Sequence, residues 1–177
     1  MNIPNSITLA RIFSVPLIVW LILREEMLIA FALFVVSGVS DALDGLIAKQ
    51  FNLTTRLGKY LDPLADKILL VSIYITLGIK GDIPSWLVIL VVSRDLLIVG
   101  GILFSYLMGT RVRIHPVRIS KINTFCQITL AALILGAAGF GMALGLWQVY
   151  AVYIVGLTTV FSGYSYLADW ISQSNQS

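Results

Sequence analysis

Apolar residues run along this chain in six long blocks, each about the length that crosses a bilayer, with short polar punctuation between them. A membrane helix needs about 20 predominantly apolar residues. The blocks are Ile7–Leu23, Met27–Leu46, Tyr60–Ile79, Pro84–Met108, Ile119–Phe140 and Leu144–Trp170. Arg24-Glu25-Glu26 separates the first two, and Lys49–Lys59 the second and third. Gly78-Ile79-Lys80-Gly81-Asp82-Ile83-Pro84 forms a short turn, Gly109–Arg118 precedes the fifth block and Gly141–Gly145 the sixth. The pattern predicts an all-α, polytopic membrane protein with six transmembrane helices in a single domain, 1–177. Pro4, Pro84 and Pro116 lie near the starts of blocks and Pro63 near the start of the third, where a missing N–H is tolerated. Pro16 lies inside the first and is expected to kink it. Gly141 and Gly145 have the spacing of a helix-packing pair, although they fall at a predicted loop.

The basic residues set the orientation. Lys49, Arg56, Lys59 and Lys67 surround the second loop, and Arg111, Arg113, Arg118 and Lys121 the fourth. The opposite side holds Arg24 and Lys80, offset by Glu25, Glu26 and Asp82. By the positive-inside rule both basic loops, and both termini with them, face the cytoplasm. The opening Met1-Asn2-Ile3-Pro4-Asn5 lacks the charged leader and small-residue cleavage site of a secretory signal, so the first helix is expected to be retained.

Composition agrees with the pattern. Of 177 residues 58% are apolar and 12% charged, against about 25% charged in a soluble domain. The net charge of +3 sits in two short loops, which gives no reason to expect nucleic acid. Cys126 is the only cysteine; it cannot form an intrachain disulfide and reads as a small apolar residue.

Against this background four carboxylates stand out. Asp41, Asp44, Asp62 and Asp66 are four of the nine acidic residues. Placing one charge at the bilayer centre costs roughly 2.5–3.5 kcal/mol, and neighbouring carboxylates repel one another. Asp41 and Asp44 are three apart on one predicted helix, and Asp62 and Asp66 four apart on the next, spacings that put each pair on one helical face. A short connection makes the two helices antiparallel neighbours, so all four converge near the cytoplasmic surface. Divalent metal is the expected compensation. Carboxylate oxygens suit Mg2+ or Mn2+, four of them suffice for two ions, and a two-metal clamp suits phosphoryl chemistry. The small residues Gly45, Ala48 and Gly58 let a nucleotide or pyrophosphate approach the backbone closely. A cation or proton transporter using the same carboxylates as a relay is the competing class. The gathering of the acids toward one face, and their single occurrence, argue against it.

The stretch Asp41-Ala-Leu-Asp44-Gly45-Leu-Ile-Ala48-Lys49, eight residues, then Gly58-Lys-Tyr-Leu-Asp62-Pro-Leu-Ala-Asp66 resembles the CDP-alcohol phosphotransferase signature D-x-x-D-G-x-x-A-R, eight residues, G-x-x-x-D-x-x-x-D. The six blocks and the leading Asn2-Ile-Pro4-Asn5-Ser-Ile-Thr8-Leu-Ala-Arg11 extend the likeness over most of the chain. Lys49 departs from the family's arginine; it keeps the charge and loses the bidentate fork, and Arg56 stands nearby to share the phosphate. The resemblance implies transfer of a substituted phosphate from a CDP-linked donor to an alcohol, with release of CMP. It implies metal held by Asp41, Asp44, Asp62 and Asp66, with Asp66 as the general base. It also implies a CDP site lined by Asp41, Asp44, Gly45, Ala48, Lys49, Gly58 and Asp62. A homodimer is expected from the resemblance alone, in the inner membrane if the source is bacterial, with the active site facing the cytoplasm.

The leading segment and Asp62-Pro-Leu-Ala-Asp66-Lys67 resemble the branch making phosphatidylglycerol-type lipids, whose donor is CDP-diacylglycerol. Two acceptors compete there: phosphatidylglycerol, giving cardiolipin, and glycerol-3-phosphate. Ser93-Arg94-Asp95 and Ile119-Ser120-Lys121-Ile-Asn123-Thr124 with Gln127 resemble the first type, which is therefore favoured. Arg111, Arg113, Arg118 and Lys121 suit an acceptor phosphate in either case, and they equally suit setting topology. His115 is a lone loop histidine. Arg94-Asp95 is an intramembrane pair that reads either as a structural ion pair or as a cavity wall. Tyr150, Tyr153, Tyr164, Tyr166 and Trp170 read as interfacial anchors or packing.

Overall fold

A computed structural model describes the backbone of residues 3–50, 58–107 and 118–174, and the side chains within 11–41, 65–100 and 119–168. Among the described residues six helices follow one another: α1 (Ile3–Leu23), α2 (Met27–Gln50), α3 (Gly58–Lys80), α4 (Ser85–Leu107), α5 (Arg118–Gly139) and α6 (Leu146–Ser174). There is no strand among the described residues. Each helix falls on one expected apolar block. Several outlast theirs: α2 continues past Leu46 through Lys49 to Gln50, α1 begins at Ile3, and α6 runs on to Ser174. Hydropathy marks where the surroundings turn polar, whereas helical hydrogen bonding continues as long as each N–H finds a carbonyl four residues back. Helix α1 continues through Pro16.

Among the described residues two segments, Ile119–Gly139 and Leu146–Ala168, are by themselves long and apolar enough to cross a membrane, and Arg11–Leu23 and Met27–Asp41 are shorter apolar stretches.

The helices group into two compact units. The first comprises 1–82 and 131–144, the second 83–130 and 145–177, so α5 contributes its beginning to one and its end to the other. In the first unit α1 packs against both α2 and α3. Ile18, Ile22, Ala30, Ile73, Tyr74 and Leu77 are fully buried there. In the second unit α4 packs against α6, around Leu87, Val91 and Val155. Facing outward are Phe13, Ile79, Trp147 and Tyr164, each more than 70% exposed, a surface suited to lipid.

Helices α1, α3 and α5 end alike. The N–H two residues beyond the cap reaches back to the helix: Glu26 to Leu21 O at 3.0 Å, Asp82 to Leu77 O at 2.9 Å and Met142 to Ala137 O at 2.8 Å. Companion bonds spanning three residues run from the N–H groups of Glu25, Gly81 and Gly141 to the carbonyls of Ile22, Gly78 and Ala138. This pairing requires a left-handed residue after the cap, and Glu25, Gly81 and Gly141 have φ of 65°, 86° and 65°. Gly141 and Gly145 (φ 53°) are therefore turn residues, and a Cβ placed on either would meet no described atom within 4 Å. The helix-packing role expected from their spacing falls instead to Gly139. A Cβ there would stand 2.8 Å from Leu28 Cα and 2.9 Å from Leu28 N.

Gly139→Ala is accordingly expected to cost about 1–3 kcal/mol, because backbone cannot move aside cheaply. Gly156 makes a useful contrast: its Cβ would come closest to the ring edge of Trp86, also at 2.9 Å, and Trp86 is part-exposed and able to swing. Thermal unfolding in detergent should rank Gly139→Ala clearly below Gly156→Ala; the reverse order would refute the close helix approach.

Candidate functional site

The aspartate motif begins at a buried arginine. Arg11 lies on α1, inside an apolar stretch, and is 4% exposed. An isolated guanidinium in such a place is strongly unfavourable. It is matched by carboxylates from both neighbouring helices: Nη2 is 2.5 Å from Asp41 Oδ1 on α2, and Nη1 donates to Asp66 Oδ1 on α3 at 2.6 Å. A planar guanidinium can serve two acceptors at once from different nitrogens, which an ammonium does poorly. One cation thus holds together two groups that would otherwise repel. One turn further along α1, Ser14 Oγ lies 3.3 Å from Ser37 Oγ of α2 and donates to the Arg11 carbonyl at 2.7 Å. Arg11 Nε is buried without a hydrogen-bond partner among the described residues.

The three groups differ in access. The Arg11 side chain is 3% exposed, while those of Asp41 and Asp66 are 38% and 43% exposed. The cation forms the floor and the carboxylates open outward. The first and last residues of the motif, 25 positions apart in the numbering, meet on one guanidinium. Sequence reasoning places Asp41 and Asp66 together and does not single out Arg11 as a site residue. The available signal is a charged residue within the first apolar block.

Asp44 lies one turn beyond Asp41 on α2, and Asp62 one turn before Asp66 on α3. Gly45, Ala48 and Lys49 also belong to α2, and Gly58 opens α3; Lys49 and Gly58 are thus helical residues and not part of a loop. The side chains of Asp44, Ala48, Lys49, Asp62 and Trp170 lie outside the described residues, as do Arg56, Arg111, Arg113 and His115. Arg118 opens α5 with its side chain likewise outside, and Lys121, one turn on, is exposed. Among the described residues no three His, Cys, Asp or Glu side chains group to hold a metal. The described pair nevertheless fits one. Its donors are oxygen only, they come from adjacent helices, and they are part-exposed, with a further aspartate one turn away on each helix. That donor chemistry matches a hard divalent cation.

A second polar cluster lies within the other compact unit. Arg94 and Asp95 on α4 are both 3% exposed. Arg94 Nη1 donates to Asp95 Oδ1 at 2.6 Å, while Nη2 donates to Ser120 Oγ of α5 at 2.6 Å and Ser162 Oγ of α6 at 2.5 Å. Its guanidinium also lies 5.8 Å from the Tyr166 ring centroid, within cation–π range. One turn along α5, Asn123 Oδ1 accepts from the hydroxyls of Thr158 and Thr159, both at 2.9 Å. Asn123 and Gln127 are completely buried. Of the two readings of Arg94-Asp95, the buried ion pair is the one observed, and it clamps α4, α5 and α6. Tyr166 belongs to that clamp. Tyr150, Tyr153 and Tyr164 are exposed as anchors would be, with Tyr150 edge-on to Trp147 and Tyr153 beside Trp86.

Comparison with known proteins gives a consistent result. A family model described as CDP-alcohol phosphatidyltransferase matches residues 1–161. The CDP-diacylglycerol–glycerol-3-phosphate 3-phosphatidyltransferase of Rickettsia typhi is 35% identical over 170 residues, covering 93% of this chain and 94% of the relative. The chloroplastic enzyme of that name from rice (Oryza sativa subsp. japonica) is 37% identical over 158 residues, 80% of this chain and 48% of the relative. The human cardiolipin synthase (CMP-forming) is 34% identical over 182 residues, 93% of this chain and 60% of the relative. The chain therefore spans nearly all of the bacterial relative, about half of the plant one and three-fifths of the human one.

Proposed function

The chain belongs to the CDP-alcohol phosphatidyltransferase family and is a transferase of phospholipid biosynthesis, and from that premise we propose that it transfers the phosphatidyl group of CDP-diacylglycerol to glycerol-3-phosphate. The acceptor hydroxyl oxygen bonds to the lipid-side phosphorus of the donor, the bond from that phosphorus to the bridging pyrophosphate oxygen breaks, and CMP leaves. The observation carrying this reading is the meeting of Asp41 and Asp66 on Arg11, which brings both ends of the motif to one part-exposed site.

In this reading Asp66 takes the proton from the attacking hydroxyl. Asp41, Asp44, Asp62 and Asp66 hold Mg2+ or Mn2+, two ions for four carboxylates, whose charge offsets that of the donor pyrophosphate and the departing CMP. Gly45, Ala48 and Gly58 leave room for the nucleotide along α2 and α3, and Lys49 meets a donor phosphate. Arg111, Arg113, Arg118 and Lys121 receive the phosphate of the acceptor. All six helices span the membrane, both termini and both basic loops face the cytoplasm, and the protein acts as a homodimer, in the inner membrane if the source is bacterial. Family membership sets aside the cation or proton transporter.

The segments that favoured phosphatidylglycerol as acceptor were Ser93-Arg94-Asp95 and Ile119-Ser120-Lys121-Ile122-Asn123-Thr124 with Gln127. In the structure Arg94, Asp95, Asn123 and Gln127 are buried, and Arg94 is bonded to Asp95 and Ser120. Side chains spent on helix packing say little about which alcohol enters. The relative covered almost end to end by this chain is named for glycerol-3-phosphate, which moves the balance to that acceptor. Phosphatidylglycerol remains the second reading, supported by the human relative.

Purified protein with CDP-diacylglycerol, Mg2+ and either acceptor decides between them, with the lipid product identified by mass. Phosphatidylglycerophosphate is expected from glycerol-3-phosphate. Cardiolipin formed from phosphatidylglycerol, with glycerol-3-phosphate inert, would reverse the acceptor assignment. Turnover undiminished in excess chelator would remove the metal from the scheme.

A further inference from the structure

Arg11 has no part in the reaction as described, yet it is the most deeply buried group at the site. Its charge, position and double contact give it a purpose. Two part-exposed carboxylates from different helices share its guanidinium, one on each terminal nitrogen. With no cation between them, Asp41 of α2 and Asp66 of α3 would repel where both helices pack on α1. With Arg11 in place their negative charge is partly offset whether or not a divalent ion is bound. We propose that Arg11 is a positioning residue, a resident counter-cation that keeps the acidic site assembled while it is empty and thereby makes the fold of the first unit independent of metal.

The inference rests on the divalent-cation reading of the aspartates. It goes beyond that reading because it concerns the empty state. The chemistry is one of charge alone. Removing Arg11 leaves two part-exposed carboxylates without their shared cation, so their mutual repulsion, moderated by solvent, acts against the packing of α2 and α3 on α1. A bound dication would then take over the lost neutralisation. The variant should become metal-dependent for stability where the parent is not. A residue that merely filled space would lower the stability of the empty and loaded protein equally.

The test is thermal unfolding of the full chain in detergent, in EDTA and in MnCl2, for the parent and Arg11→Gln. In EDTA the variant is expected to unfold a few degrees below the parent. Mn2+ should recover most of that gap, so that its stabilising increment in the variant exceeds the parent's severalfold. Equal increments in the two proteins would overturn the role assigned to Arg11 and leave the metal site standing. No increment in either would overturn the divalent-cation reading and this inference with it. Should Arg11→Gln fail to fold even in MnCl2, that too would count against the inference, since metal was to replace the cation. Arg11→Lys provides an internal check. Its single ammonium keeps the charge without reaching two carboxylates squarely, so its increment should fall between the other two; an increment as large as that of Arg11→Gln would show that charge is not what matters.

Discussion

Asp66→Asn is expected to lower turnover by about 10²–10⁴-fold, the usual contribution of a positioned general base, while leaving the fold intact. Asparagine retains the oxygen that Arg11 Nη1 contacts at 2.6 Å, so the α1–α3 link survives in weaker form. What disappears is the ability to accept a proton, together with one charged ligand to the metal. At saturating Mg2+, with Asp41, Asp44 and Asp62 still there to hold the metal, the effect should fall mainly on kcat, with the KM for CDP-diacylglycerol changed less, because proton acceptance is needed only as the hydroxyl attacks. CMP release at saturating donor and acceptor measures it. An asparagine variant keeping a tenth or more of parental turnover would remove Asp66 from the role of base.

The second large effect concerns stability. Arg94→Met is expected to cost about 3–5 kcal/mol, lowering the unfolding temperature by about 10 °C. The substitution takes away the cation that Asp95 meets at 2.6 Å and the donor shared by Ser120 and Ser162. Pairing it with Asp95→Leu should recover most of the loss, since an apolar pair of similar volume often replaces a buried ion pair with no penalty. The measurement also separates two roles. If Arg94 is a helix clamp, the double variant regains stability together with activity. If it instead recognises the acceptor, the double variant is stable and shows a much raised KM for glycerol-3-phosphate, and the clamp reading fails.

These two arginines show what the sequence made legible and what it did not. The apolar blocks announced all six helices, because a run of about 20 apolar residues has few other uses. The spacing of the aspartates announced the meeting of Asp41 and Asp66, because a helical period puts residues three or four apart on one face; Asp44 and Asp62 lie outside the described side chains. Neither signal says which residue of a distant helix meets them. The pairing of Arg11 with Asp66 spans 55 positions and depends on how α1 is rotated between α2 and α3, something local periodicity does not encode. Arg94 was legible as an oddity, a charge in an apolar block, but not as a packing device, since a cavity wall and an ion pair need the same residue types. Gly141 and Gly145 misled for a similar reason: the spacing of two glycines is the same in a turn as on a packed helix face, and only φ distinguishes them. The acceptor was the hardest property to read, since four of the residues resembling one branch, Arg94, Asp95, Asn123 and Gln127, are buried.

Because the cation on α1 is satisfied by acids on α2 and α3, the order of biosynthesis matters. Arg11 leaves the ribosome 55 residues before Asp66, carrying a charge that lipid receives poorly. The guanidinium gains its second carboxylate only once the third helix has been made, so completion of the scaffold and of its acidic site coincide. A chain truncated ahead of Asp66 would keep Asp41 on Arg11 and lack that second anchor.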